Sequence, residues 1–250
     1  MGFNRLTQSV KNMAASAVAV GTSKIDATMN DMADAVDSAN GSLIAQRKLM
    51  TVDLSKANPV ENTLTVNLSK GENVKLNTNL TQVVVGLEWD PIEGTGDFDA
   101  DASIVQLDKN GKAIDYIFHR KLTSTDNAII HTGDNLTGED TDEADDESIA
   151  IDLTNINPAC ERIVVLAEIY GATQRGQNFG QVSKCGVRLY DLNGSNQVLA
   201  KHDLAEDHAT AVAINVGELY RYDSGWKFKA TGTDSKIGIS EFLSGYGINT

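Results

Sequence analysis

Aspartate and glutamate side chains crowd into two short segments of the 250-residue chain. Residues 133–147 hold eight carboxylates and no basic residue, and an upstream cluster places Asp97, Asp99 and Asp101 at alternate positions. Like charges at contact distance repel and raise one another's pKa, so these clusters need either full solvation or a countercharge. A bound cation would supply that countercharge, and calcium is the natural candidate.

The spacing of Asp97, Asp99 and Asp101 is similar to the start of an EF-hand loop, but the loop is not an EF-hand. Its sixth position, where the sharp turn requires glycine, is Ala102, and a strand pattern follows instead of a helix. Alternate carboxylates can still converge if the loop curls, and hard oxygen ligands select Ca²⁺ or Mg²⁺. Calcium accepts about six to eight irregularly placed oxygens, whereas magnesium requires an octahedron. The pattern therefore favours calcium, and a solvated acidic loop is the alternative.

Motifs for catalysis and nucleotide binding are incomplete. Gly133 and Gly138 have the spacing of a phosphate-binding loop, but Glu139 and Asp140 occupy the Lys-Ser/Thr positions and would repel phosphate. The sequence contains no HExxH or GxSxG motif. A paired-carboxylate hydrolase would need two particular acids, and the chain has too many to nominate a pair. We therefore expect a protein that is not an enzyme.

Histidine and cysteine are scattered without the spacing of a metal site. The cysteines, Cys160 and Cys185, are expected to be reduced structural thiols. The histidines are expected to be surface or structural residues: His119, His131, His202 and His208.

Composition argues against two classes of partner. A net charge of −14 and a pI near 4.6 argue against binding nucleic acid or anionic lipid through a general basic field.

No apolar run reaches the length of about 20 residues that a spanning helix requires. Residues 13–20 imitate the apolar core of a signal peptide but are short and Ala-rich. We expect a cytoplasmic protein without a membrane span, and peripheral membrane association stays open.

The first 41 residues have a helical rather than a strand period. Apolar residues recur at spacings of four and three, which is typical of an amphipathic or coiled-coil helix, beginning with Leu6, Val10, Met13, Ala17 and Val20. Asn40 and Gly41 supply a stop signal. This helical extension either packs on its own domain or serves self-association or partner docking. Residues 42–62 are expected to connect it to the next domain.

Beyond residue 62 the apolar period changes to two, which predicts β-strands separated by turn formers. Many short strands with little helix between them indicate a mainly β protein, an antiparallel β-sandwich over residues 63–250. A short C-terminal helix is predicted near Lys236–Ser244. The predicted strands are Leu64–Leu68, Gln82–Trp89, Ala102–Leu107, Asp115–Phe118, Ala128–His131, Ser148–Leu153, Arg162–Tyr170, Gly186–Tyr190, Gln197–His202, Ala209–Tyr220 and Trp226–Ala230.

Seven motifs occur in order, in residues 66–71, 84–90, 96–103, 131–138, 145–147, 175–182 and 217–221. In these motifs the chain resembles the TerD family of tellurium-resistance and general stress proteins, from about residue 64 to the C-terminus. The resemblance implies a calcium-binding β-sandwich that acts in the cytoplasm as a stress-response or signalling scaffold for partner proteins. It implies no catalytic activity.

The same resemblance implies a set of calcium ligands, sufficient for two adjacent ions. They are Asp97, Asp99, Asp101, Asp134, Asn135, Asp145, Asp146, Glu147 and, with a backbone-capping role as the alternative, Asn178. Residues 139–144 are longer and more acidic than the family pattern, and the helical extension has no counterpart in it. A second hypothesis therefore treats the domain as a structural or assembly subunit, for example of a phage particle or a membrane-associated complex, docked through residues 1–41.

Overall fold

The computed structural model describes residues 59–63, 65–92, 98–133, 145–194, 196–204 and 208–249. The helical extension predicted for residues 1–41 lies outside the described residues. Among the described residues, no helix is long and apolar enough to cross a membrane.

Strands dominate the described part of the chain. In chain order the elements are β1 (Val66–Asn67), β2 (Asn73–Lys75), β3 (Gln82–Pro91), β4 (Ala100–Leu107), β5 (Ala113–Ile117), β6 (Ile129–His131), β7 (Glu147–Asp152), β8 (Arg162–Ile169), α1 (Ala172–Arg175), a 3-10 turn (Phe179–Gln181), β9 (Val182–Asp191), β10 (Val198–Asp203), β11 (Ala213–Tyr222), β12 (Gly225–Ser235) and α2 (Ser240–Gly245).

The strands form two six-stranded sheets. The first sheet has the order β1-β10-β9-β3-β7-β6, and the second has the order β2-β12-β11-β8-β4-β5. Neighbouring strands are antiparallel except for β1 and β10, which run parallel. The prediction of a mainly β, sandwich-type fold is confirmed, with one parallel pair added.

Alternation along the strands builds the core between the sheets. On β3, Val83, Val85, Leu87 and Trp89 are buried in one cluster with Ala102 and Ile104 of β4. Because successive side chains point to opposite faces, the intervening residues of β3 and β4 face outward.

A second apolar cluster lies on the outer face of the second sheet. Val105 and Leu107 of β4 and Leu166 of β8 pack there with Leu243 of α2. The C-terminal helix is therefore present, over Ser240–Gly245, and it covers an otherwise exposed apolar face.

The antiparallel order gathers several strand termini at one end of the sandwich. The end that we call the acidic end comprises the first residues of β4, β7 and β9 and the last residues of β3 and β8. Leu87 pairs with Glu147, and Ala100 pairs with Ile169, which places these termini side by side within each sheet. The described members of both acidic sequence clusters therefore lie at this end.

Candidate functional site

Glu147 lies between the two sheets at the acidic end. It is the first residue of β7, its side chain is fully buried, and its Oε2 accepts a hydrogen bond from the Ala102 backbone N–H of β4 at 2.7 Å. Ala102 belongs to the opposite sheet. The carboxylate thus joins the two sheets, and a hydrogen bond to a charged group is stronger than one between neutral groups.

His131 is the second partner of Glu147. Its Nε2 lies 3.6 Å from Glu147 Oε2 and 3.0 Å from the Ala102 carbonyl oxygen, and its Nδ1 accepts from the Gly133 N–H at 3.0 Å. Since Nδ1 accepts, the ring proton must sit on Nε2, where it faces two acceptors. His131 is therefore a neutral structural residue, as the sequence predicts, and its Nε2–H donates to the Ala102 carbonyl beside the Glu147 carboxylate.

Asp146 extends the ladder between β3 and β7. Its backbone N–H donates to the Leu87 carbonyl at 2.9 Å, and its Oδ2 accepts from the Trp89 N–H, also at 2.9 Å. The side chain thereby satisfies a backbone donor near the end of β3. One carboxylate oxygen is used in this bond, and a carboxylate can accept through both.

Asp145 lies on the outer face of the first sheet. Its Oδ1 accepts from Arg188 Nε at 2.8 Å and from Nη2 at 2.6 Å, and its side chain is 1% exposed. Burial raises the pKa of Asp145, and the Arg188 charge opposes that shift. Glu88, 3.4 Å from Arg188 Nη2, completes the network.

Gly86 makes room for this ion pair. A Cβ added at Gly86 would overlap the Asp145 carboxyl group. Gly86 pairs with Arg188 on β9 and with Ser148 on β7, so it lies directly beneath the ion pair. Glycine is required at this position because the Asp145 carboxyl group approaches its Cα closely, and not because of its backbone conformation.

Asp99 and Asp101 flank the first residue of β4. The half-buried Asp99 accepts from the Tyr170 N–H at 2.8 Å through its backbone carbonyl. Asp101 faces outward on the second sheet, with its Oδ1 at 3.0 Å from His119 Nδ1. Asp101 also pairs across strands with Glu168, and burial, followed by the Asp101 charge, raises the pKa of Glu168 to about 7.

Asn178 caps the 3-10 turn that precedes β9. Its side-chain oxygen accepts from the Gly180 N–H at 3.0 Å, and its own N–H donates to Gln181 Oε1 at 2.9 Å. The backbone-capping role that the sequence left open is therefore present.

Among the residues predicted as ligands, Asp97, Asp134 and Asn135 lie outside the described residues. The others lie at one end of the sandwich but in different layers, with Glu147 between the sheets, Asp101 outside the second sheet and Asp145 outside the first. No group of three or more His, Cys, Asp or Glu side chains among the described residues is arranged to hold a metal ion. The ligand assignment therefore stays a prediction.

Sequence reasoning missed Arg188 as the partner of Asp145. The available signal was a lone cation between Val187 and Leu189 in an apolar strand, since a charge in such a position usually has a partner. The two cysteines were predicted as structural thiols, and both are buried and free of disulfide bonds. Burial raises the pKa of Cys160 to about 12 and also raises the pKa of Cys185.

Comparison with known proteins decides the family. The sequence model of the TerD domain matches residues 64–246. The chain belongs to the TerD domain family. It is 43% identical over 194 residues to tellurium resistance protein TerD of Serratia marcescens, covering 74% of this chain and 99% of the relative. It is 39% identical over 193 residues to general stress protein 16U of Bacillus subtilis strain 168, covering 74% and 98%.

A solved TerD homologue from Streptomyces coelicolor A3(2) shares the fold. Its TM-score is 0.56 at 22% identity, covering 66% of this chain and 95% of that one. The TerD relatives are thus spanned almost completely, whereas residues 1–63 of this chain precede the family match.

Proposed function

We propose that this TerD-domain chain is a non-catalytic calcium-binding protein of the stress response, which acts as a scaffold for other proteins in the cytoplasm. Its relatives are named as tellurium-resistance and general stress proteins. The observation that carries the proposal is the gathering of Asp99, Asp101, Asp146 and Glu147 at one end of the sandwich.

The donor set at this end fits calcium by its chemistry. Carboxylate and amide oxygens are the ligands that Ca²⁺ takes, about six to eight of them in flexible geometry. Each carboxylate carries two oxygens and about four lone-pair sites, so one group can accept a backbone hydrogen bond, as Asp146 does from the Trp89 N–H, and also coordinate an ion. The proposed ligands are Asp97, Asp99, Asp101, Asp134, Asn135, Asp145, Asp146, Glu147 and Asn178, shared between two ions.

The contacts rank these ligands. Asp145 is held by two Arg188 nitrogens, and Asn178 uses its side-chain oxygen to cap a turn. We therefore give these two the smallest share of calcium binding. Bound ions would neutralise the acidic end and fix its shape, and this surface is what partner proteins would recognise.

Calcium titration followed by thermal unfolding tests the proposal. Added Ca²⁺ should raise the melting temperature of chelator-treated protein, since an ion that binds only the native state stabilises it by about 2.7 kcal/mol at 100 times Kd. Asp99→Asn should reduce the shift. The matched control is Asp223→Asn, a 65% exposed carboxylate in the β11–β12 turn at the other end of the sandwich. An unchanged melting temperature in wild-type protein would contradict calcium binding.

We propose as an alternative that the domain is an assembly subunit docked through residues 1–41. This alternative is favoured by the 63 residues that precede the TerD match, while relatives are covered over 98–99% of their own length. Light scattering of the full chain and of a variant lacking residues 1–41 tests it. Assembly requires a multimeric mass that falls on truncation, and monomers in both samples would contradict self-association.

A further inference from the structure

Two buried histidines meet at the opposite edge of the sandwich from Glu147. His202 lies near the end of β10, and His208 precedes β11; they are 4% and 3% exposed. Their ring centroids are 6.0 Å apart, and the ring planes are inclined by 77°. Six positions apart in sequence, they match no ligand motif, so only the tertiary structure reveals the pair.

The Nδ1 atoms of both rings are committed to acceptors. His202 Nδ1 lies 2.9 Å from the Leu68 carbonyl oxygen, and His208 Nδ1 contacts a carboxylate oxygen of Asp234. Neither acceptor carries a proton to donate, so each Nδ1 must carry the ring proton. In the neutral imidazole the lone pair is then on Nε2. Carbonyl or carboxylate partners of this kind are the usual outer shell of metal-binding histidines.

The two Nε2 atoms flank one point above Gly232. A Cβ added at Gly232 would lie 3.3 Å from His208 Nε2 and 3.4 Å from His202 Nε2. Gly232 also has a φ of +51°, a conformation that side chains other than glycine rarely adopt. A side chain at this position would crowd both nitrogens.

His208 Nε2 is a buried nitrogen that a bound ligand would satisfy. It is buried, and it has no hydrogen-bond partner among the described residues. A buried polar atom left in this state costs about 1–3 kcal/mol. Asp234, on the other side of the ring, is 35% exposed at its side chain. The Nδ1 edge of the His208 ring is therefore separated from solvent by a single side chain.

We propose that His202 and His208 bind one late first-row transition-metal ion, such as Zn²⁺, through their Nε2 atoms. Imidazole nitrogen suits Zn²⁺, Cu²⁺ and Ni²⁺, whereas calcium selects oxygen ligands. With metal–nitrogen bonds of about 2.0–2.1 Å, two imidazoles on one ion have centroids roughly 5–6 Å apart. The observed 6.0 Å is close to this range. Two protein ligands leave other positions to water, so we expect an exchangeable ion.

Within the first sheet this site is set apart from Glu147, one of the residues that are proposed to hold calcium. His202 is on β10 and Glu147 is on β7, three strand positions apart in the first sheet. At about 4.8 Å between neighbouring strands, the separation is roughly 14 Å. An ion held by Glu147 and an ion held by the two histidines would therefore not share that ligand.

Nitrogen NMR of the full chain, with calcium at saturation, tests the proposal. One equivalent of Zn²⁺ should move the Nε2 resonances of His202 and His208 together and leave both Nδ1 atoms protonated. The competing explanation is a buried water that donates to both Nε2 atoms. If a water fills the space, neither Nε2 resonance will respond to Zn²⁺, and the metal site is overturned.

Competition with a chromophoric chelator measures Zn²⁺ binding in two matched variants. His208→Asn should weaken Zn²⁺ binding at least tenfold, whereas His119→Asn, at a histidine whose side chain is 25% exposed, should leave it unchanged. An equal loss in both variants would mean unspecific binding and would overturn the proposal. If His208→Asn fails to fold, the wild-type NMR titration still decides.

Discussion

The carboxylate of Glu147 and the backbone N–H of Ala102 form a 2.7 Å hydrogen bond that joins the two sheets at the acidic end. Both groups are buried, and the bond connects the first residue of β7 to the third residue of β4. A residue nominated as a calcium ligand is therefore also a structural anchor. Loss of this residue should affect folding as well as binding.

Glu147→Leu should destabilise the protein by about 1–3 kcal/mol, because it leaves the Ala102 N–H buried without its acceptor. Denaturant unfolding in the presence of chelator measures this cost apart from any metal effect. Glu161→Leu, at an exposed position, is the control and should change stability little. Equal unfolding midpoints for Glu147→Leu and wild type would contradict the anchoring role.

Gly86→Ala should cost about 3 kcal/mol or more, since the new methyl group occupies the place of the Asp145 carboxylate and separates it from Arg188. Gly245→Ala is the matched control. Gly245 is in α2, and an added Cβ there meets nothing within 4 Å. Chemical unfolding of both variants would reveal the difference, and a nearly neutral Gly86→Ala would show that Asp145 has an alternative position.

Stability should fall as the pH rises through about 7, because the pKa of Glu168 is raised from 4.5 to about 7 in the folded state. The folded state binds this proton more tightly than the unfolded state, so the contribution is fully present below about 4.5 and lost above about 7. Glu168→Gln, measured with chelator, should flatten the profile between pH 4.5 and about 7, the interval between the unfolded and the folded pKa.

The control for this pH profile is Glu161→Gln, at an exposed glutamate. It should keep the wild-type pH dependence. If Glu168→Gln kept the full slope of stability against pH, another group would have to take up the proton. Burial also raises the pKa of Asp145, so Asp145 would be the next residue to substitute.

The two cysteines should react slowly with thiol reagents in the native protein. The thiolate is the reactive form, and burial raises the pKa of Cys160 to about 12 and that of Cys185 further. The absorbance change of a thiol reagent at neutral pH should show that both thiols react only after the protein is denatured. Rapid labelling of native protein would contradict the burial of these thiols.

The sequence predicted the sandwich because its long strands carry either alternating apolar residues, as in Gly225–Ser235, or continuous apolar runs, as in Arg162–Ile169. Strand β2, Asn73–Lys75, was missed, since its three residues are polar or half-buried and carry no clear alternation. Helix α1, Ala172–Arg175, has only one turn and therefore leaves no period to detect. Strand β11 begins at Ala213, after the turn that contains His208, and not at Ala209.

The location of the acidic residues could be predicted, but their directions could not. A single residue separates Asp145, which faces Arg188 outside the first sheet, from Glu147, which faces Ala102 between the sheets. Such faces depend on strand register, which no local pattern fixes where a strand begins. The His202–His208 pair was missed because its surroundings come from both sheets, through Leu68 and Gly232.

Calorimetric titration of calcium into the chelator-treated full chain tests the central claim most directly. We expect heat of binding that saturates with two ions per chain, weakened in Asp99→Asn and retained in Asp223→Asn. Absence of binding heat in wild-type protein at several temperatures, together with an unchanged melting temperature, would contradict a calcium-binding acidic end.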